Sequence, residues 1–216
     1  MSDISVLGIF VADISFSGPK IPSVGETILR DSYNIGPGGK GCNQAIAISR
    51  LGGKVNFISK LGNDDYGKLA IGKLKKDNID TSNIIISDKY KTGVAGIHID
   101  RNTGKNAITV VRGAPSSLTV SEIDTNLIKQ SKIFLTQLEI PIEVTLHCLK
   151  AAKEYGLINI LNPAPACELS NDFFELVDYF TPNETEAEFY TGVKIYDEDD
   201  AKESAKKLIK MGIKNV

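Results

Sequence analysis

The sequence predicts an α/β protein: a mostly parallel, Rossmann-like sheet with helices on both faces, and a small antiparallel β lid beside it. Three observations carry this. From Ser121 onward, short apolar strands alternate with helical stretches, the rhythm of a parallel sheet. Earlier in the chain, two segments at about 14–35 and 93–111 are strand-like with no helix inside them. Between them, residues 36–41 pack four glycines and one proline into six positions, directly before a helical run.

Taken in order, residues 4–12 form one apolar strand, Ile-Ser-Val-Leu-Gly-Ile-Phe-Val-Ala, of the kind buried on both faces. Asp13 follows at its carboxyl end, where open α/β sheets place ligand-contacting groups; a turn aspartate accounts for it equally well. Residues 14–18 and 27–35 are strand-like and flank turns at Gly18-Pro19 and Pro22-Ser23-Val24-Gly25. The glycine-rich stretch then opens a helix, with Ala45, Ile48 and Leu51 at helical spacing. Residues 55–61 make a strand, and Asp64 caps a helix through Lys76 with Ala70 and Leu74 turned inward. A short strand at 84–87 precedes a hairpin, 93–100 and 105–111, around Arg101-Asn102-Thr103-Gly104.

The second half alternates regularly. A helix is expected at 121–129 and a strand at 132–136, closed by Gln137-Leu138-Glu139. A helix at 142–155, a strand at 157–161, a rigid Asn162-Pro163-Ala164-Pro165 turn and a short helix at 171–176 follow. A strand at 179–181 leads into a helix opened by Pro182-Asn183-Glu184-Thr185-Glu186. The helix at 197–211 carries its acids first and its lysines late, as the dipole favours, and Gly212 stops it. Ile213-Lys214-Asn215-Val216 resembles the approach to another strand, so the expectation is an N-terminal part of a longer sheet. The 216 residues form one domain with the lid inserted.

With 42% hydrophobic residues and 24% charged, the chain can build a sizeable core. A net charge of −2 gives no footprint for nucleic acid or an anionic membrane. The longest apolar run, 6–12, is too short to span a bilayer, and Asp3 precedes it where a signal peptide carries basic charge. Cys42, Cys148 and Cys167 are widely spaced, which fits free thiols and a cytoplasmic protein. His98 and His147 stand in no metal-ligand spacing.

Four motifs carry chemistry. Gly38, Gly39, Lys40 and Asn43 put backbone and side-chain donors at one helix start, which suits an anionic or oxygen-rich ligand. Gly36-x-Gly38-x-x-Gly41 also matches the dinucleotide fingerprint, but it does not follow the first strand of a βαβ unit; a nicotinamide-dependent enzyme is therefore a weak alternative. Glu139 ends an apolar strand, where a carboxylate can accept from sugar hydroxyls or simply favour the next helix start. Asn183 and Glu186 fit a capping box, or a nucleotide and Mg²⁺ contact at a helix N-terminus. Cys42 is expected to pack, not to attack.

In combination the motifs resemble the ribokinase-like family of carbohydrate kinases. The matching pieces are Ala12-Asp13, Pro22-x-x-Gly25-Glu26-Thr27, Gly38-Gly39-Lys40-Gly41-x-Asn43-Gln44-Ala45, Gly62-x-Asp64, Thr92-Gly93-Val94-Ala95, Gln137-Leu138-Glu139, Asn162-Pro163-Ala164-Pro165-Ala166 and Thr181-Pro182-Asn183-Glu184-Thr185-Glu186. They fall in family order along the whole chain.

The resemblance implies ATP-dependent phosphorylation of a pentose, first D-ribose to D-ribose 5-phosphate. It implies that Asp13, Gly38, Gly39, Lys40 and Asn43 hold the sugar with help from Glu139. Asn183 would contact the ATP phosphates, Glu186 would help organise Mg²⁺, and K⁺ would serve a longer form of the protein. The lid would close over the sugar and clasp a second copy in a homodimer. The family's proton acceptor, an aspartate in a Gly-Ala-Gly-Asp motif, has no counterpart in these 216 residues, so the chain alone is expected to be inactive. Val11 stands where the family commonly carries Asn, which opens the site to another pentose, a deoxy sugar or a nucleoside. A non-catalytic sugar-binding fragment is the alternative of a different class.

Overall fold

A computed structural model describes residues 2–216. Its body is a six-stranded sheet built from β1 (Ile4–Leu7), β4 (Val55–Gly62), β5 (Ile84–Ser87), β8 (Ile133–Thr136), β9 (Ile158–Leu161) and β10 (Tyr179–Phe180). The spatial order is β10-β9-β8-β1-β4-β5, and every pairing is parallel. All six strands therefore end on one edge, and the loops that leave that edge can share a site.

Helices cover both faces, as the alternating rhythm predicts. Along β1, β4 and β8, neighbouring residues point in opposite directions. Val6, Phe57 and Leu135 pack beneath α1 (Lys40–Arg50) and α2 (Asp65–Lys76). Leu7, Ile58 and Phe134 pack beneath α3 (Ile142–Glu154) and α4 (Asn171–Leu176). The last helices, α5 (Glu184–Thr191) and α6 (Glu198–Lys210), pack on each other, and Leu208 joins the second cluster. No helix of the described residues is long and apolar enough to cross a membrane.

The small sheet holds β3 (Asn34–Gly38), β2 (Val11–Gly18), β6 (Thr92–Asp100) and β7 (Asn106–Gly113), in that order. It is mixed: the outer pairs are antiparallel, but β2 and β6 run parallel. The two patches are thus joined edge to edge by one long-range pairing, which no local pattern announces.

Several local expectations change. The apolar run 4–12 is not one strand. It leaves the large sheet after Leu7 and enters the small sheet at Val11, so Asp13 is an interior residue of β2. The break falls at Gly8, where a Cβ would stand 2.7 Å from the Gly41 Cα. The first turn of α1 occupies that place, and only a bare backbone admits it. Residues 19–33 form no strand, and β3 instead runs into the glycine-rich stretch, with Pro37 tolerated on the sheet's edge. The helix expected at 121–129 is two short 3₁₀ segments, Val120–Glu122 and Thr125–Gln130, each started by its own cap at Thr119 and Asp124. Near the chain's last residues, Asn215 bridges Tyr179 in parallel and accepts from the Phe180 N–H at 2.9 Å.

Candidate active site

The site begins with the way α1 starts. Its N-cap, Gly39, has φ 94°, a conformation that side chains rarely adopt, and a Cβ there would stand 2.4 Å from the Ile9 carbonyl oxygen. No side chain caps the helix from within, and no acid lies in its first turn. The Cys42 N–H donates to the Ile9 carbonyl, while the N–H groups of Gly39 and Gly41 find no acceptor among the described residues. The Lys40 N–H donates instead to Glu139, 99 residues away, at 2.9 Å. The open helix start therefore draws its counter-charge from the end of β8.

Asp13 arrives from the small sheet. Its carboxylate lies over Gly38, where a Cβ would stand 2.0 Å from Asp13 Oδ1. Glycine at 38 thus determines where the carboxylate can rest. Burial pushes Asp13 above the usual carboxylate range. Glu139 is also raised: burial and the nearby Asp13 charge outweigh the Lys40 N–H, the Lys40 charge and the Arg112 charge. Two half-buried carboxylates beside an open helix N-terminus are acceptors and donors gathered at one spot.

Not every expected residue behaves alike. Asp13, Gly38, Gly39, Lys40 and Glu139 converge, with the Lys40 and Asn43 side chains exposed at the helix start. Val11 is 3% exposed and packs in the apolar cluster, so it brings no polar group. Cys42 is buried, and burial followed by the Asp13 and Asp77 charges pushes its thiol up to about 12, which suits packing. Asn183 and Glu186 lie elsewhere on the same edge, beyond β10. Strand order puts three inter-strand steps, about 14 Å, between β1 and β10. There the capping box is complete: Asn183 Oδ1 accepts from the Glu186 N–H at 2.8 Å, and Glu186 Oε2 accepts from the Asn183 N–H at 2.9 Å. No three His, Cys, Asp or Glu side chains converge on a metal position among the described residues.

Two cavities open near these groups. One of about 550 Å³ is walled by Arg112, Ser116, Glu139, Pro165 and Cys167. A larger one, about 650 Å³, lies between α5 and α6 and takes in Asn183 and Tyr196. Size alone favours the second, but only the first has a raised carboxylate on its wall.

Three site residues escape a sequence reading. Gln137 is 1% exposed, donates to Gln44 Oε1 and leaves its own Oε1 without a partner beside Gly8 and Gly41. Gly8 had a signal, an isolated glycine inside an apolar strand. Arg112 had none, because its neighbour Glu139 lies in the loop that follows β8.

Comparison with known proteins gives the family. Residues 1–216 match the pfkB family carbohydrate kinases. The chain is 40% identical to a ribokinase of Haemophilus influenzae, covering 99% of this chain and 70% of that protein. It is 38% identical to a bifunctional ribokinase/ribose-5-phosphate isomerase A of Fructilactobacillus sanfranciscensis, of which it spans 40%. It is 33% identical to a deoxyribokinase of Salmonella typhi, covering 99% of this chain and 71% of that protein. The structure of an Arabidopsis thaliana ribokinase complexed with ribose and ATP superposes with a TM-score of 0.89 at 28% identity, over 98% of this chain and 70% of that one. Matched along its whole length, this chain belongs to the pfkB family of carbohydrate kinases.

Proposed function

We propose that this chain carries the sugar site of an ATP-dependent pentose kinase, with D-ribose as the first substrate and D-ribose 5-phosphate as the product. The observation that carries the proposal is the convergence of Asp13 and Glu139 on the open N-terminus of α1. Sugar hydroxyls donate to the two carboxylates and accept from the free N–H groups and Asn43. The Lys40 ammonium stands on the exposed side, where a transferring phosphoryl group would approach. Catalysis of phosphoryl transfer is mostly positioning and charge stabilisation, and these groups supply both.

The nucleotide belongs further along the edge. Asn183 Oδ1 is engaged by its own helix, which leaves Nδ2 free to donate to a phosphate oxygen. Glu186 Oε2 is engaged by the Asn183 N–H, and its other oxygen would hold a hydrated Mg²⁺ through water, the charge of which would offset that of the phosphates. The small sheet acts as the lid that keeps water from the phosphoryl group. Its exposed Tyr33 and Val111, and the Phe16–His98 stack at 5.5 Å, support a clasp with a second copy.

No Gly-Ala-Gly-Asp segment occurs in the 216 residues, so no proton acceptor for the sugar hydroxyl is assigned here. The chain alone is expected to bind sugar without turning over ATP. Buried Val11 favours a second reading, in which 2-deoxyribose is accepted alongside ribose. Calorimetric titration of the chain with both pentoses, beside an ATP-coupled turnover assay, tests this. The expected result is sugar binding without turnover, and binding lost in Asp13→Asn. Turnover at an enzymatic rate, or undiminished binding by Asp13→Asn, contradicts the reading.

A further inference from the structure

One cation on the wall of the 550 Å³ cavity has no partner. Arg112 lies next to the end of β7, is solvent-exposed, and faces the same space as Glu139 and Cys167. Its guanidinium forms none of the ion pairs found among the described residues. Burial raises both Glu139 and Cys167, and the Arg112 charge works against that rise in each.

The small sheet explains why this side chain stays free. Val11 pairs with Gly93, and Gly93 lies between the Thr92–Gly113 and Val94–Val111 pairs, so Val11, Gly93 and Arg112 form one row across β2, β6 and β7. A Cβ at 93 would stand 2.8 Å from Val11 Cγ1 and 2.5 Å from the Arg112 carbonyl oxygen. The row is therefore bare at its centre, apolar at one end and a five-donor fork at the other. In the adjoining row Asp13 stands opposite Gly36 and Ala95. The lid thus presents one acceptor and one donor group over a floor of small residues.

We propose that Arg112 is a specificity-determining residue of this site, donating its fork to two neighbouring hydroxyl oxygens of a neutral sugar from the lid side, where Val11 offers nothing. This rests on the reading of the space beside Asp13 and Glu139 as a pentose site; Glu139 also walls the cavity that Arg112 faces. Neutrality follows from the charges around Glu139: Asp13 adds to its negative charge while Lys40 and Arg112 oppose it, so a sugar carboxylate meets repulsion as well as attraction. A planar fork fits two adjacent oxygens, and a sugar lacking one of them loses one of its bonds. Ribose therefore gains more from Arg112 than 2-deoxyribose does.

Calorimetric titration of the chain and of Arg112→Ala with D-ribose, 2-deoxy-D-ribose and D-ribonate tests this. The expected result is ribose weakened by about tenfold or more, the loss of the fork's two charge-assisted hydrogen bonds. The deoxy sugar is weakened by less, and the melting temperature stays unchanged because the side chain is exposed. Arg112→Lys keeps the charge without the fork and is expected to discriminate between the two sugars as poorly as Arg112→Ala. Equal weakening of both sugars is the mark of a merely structural role and overturns the proposal, as does tighter binding of ribonate than ribose by the unmodified chain. A chain that binds pentoses but is indifferent to Arg112→Ala overturns this inference and leaves the pentose reading standing. A chain that binds no pentose overturns both.

Discussion

Helices α1 and α5 start on the same edge of the sheet and are capped in opposite ways. At α5 everything is local: Asn183 and Glu186 exchange two hydrogen bonds, and Glu184 adds a second acid to the first turn. At α1 nothing is local: Gly39 offers no side chain, the first turn has no acid, and the carboxylate comes from Glu139 in the loop after β8. A self-capped helix start uses its donors to hold itself. An uncapped one keeps donors for a ligand, and its stability depends on tertiary contacts. The difference separates a start that satisfies its own donors from one that leaves backbone donors open, although both motifs look polar in the sequence.

Substitutions at the two caps should both cost stability, but only the one at α1 should cost sugar affinity. The largest is expected from Gly39→Ala. The positive φ and the contact with the Ile9 carbonyl require the backbone to move, at a cost of roughly 3 kcal/mol in stability. Because the open N–H groups move with it, sugar affinity should fall at least tenfold, by about 1.4 kcal/mol or more. Thermal melts and sugar titration check the two together; a variant that melts normally and binds normally would mean that α1 does not need its unusual start.

An intermediate effect is expected from pH. Asp13 and Glu139 are both raised above the usual carboxylate range, with burial as the first cause in each. Sugar hydroxyls need ionised acceptors, so affinity should fall as pH drops through these raised values, sooner than ordinary carboxylates would dictate. Stability runs the other way. The folded chain holds these protons more tightly than the unfolded one, so the pair favours folding at low pH and costs stability as pH climbs through the same window. Titration and melting across pH 4–8 should therefore show opposite slopes from these groups, and parallel slopes would break the account.

The smallest effect is expected at the sealed helix. Asn183→Ala removes one cap and should cost about 1 kcal/mol of stability. Sugar affinity should not change, because nothing near Asp13 or Glu139 depends on Asn183. A loss of sugar binding here would erase the contrast between the two helix starts.

The large sheet, the helices other than the one expected at 121–129, the 93–111 hairpin and both helix starts were legible because each is written in local periodicity and turn chemistry. Two kinds of feature were not. The apolar run 4–12 reads as one strand because both halves are buried, one in each sheet; only Gly8 hints at the change. The parallel β2–β6 pairing and the Lys40–Glu139 bond join residues about 80 to 100 positions apart, and no window of sequence contains them. Of the residues the resemblance assigns to the sugar, Asp13, Gly38, Gly39, Lys40 and Glu139 lie together at the start of α1, while Val11 is buried and brings an apolar wall.

The central claim is that the open start of α1 receives the sugar. Amide shifts followed by two-dimensional NMR during titration with D-ribose test it most directly. The account predicts saturable shifts at Gly39, Lys40 and Gly41, with residues 183–186 unmoved. Shifts confined to residues 183–186, or none anywhere at millimolar sugar, would contradict it.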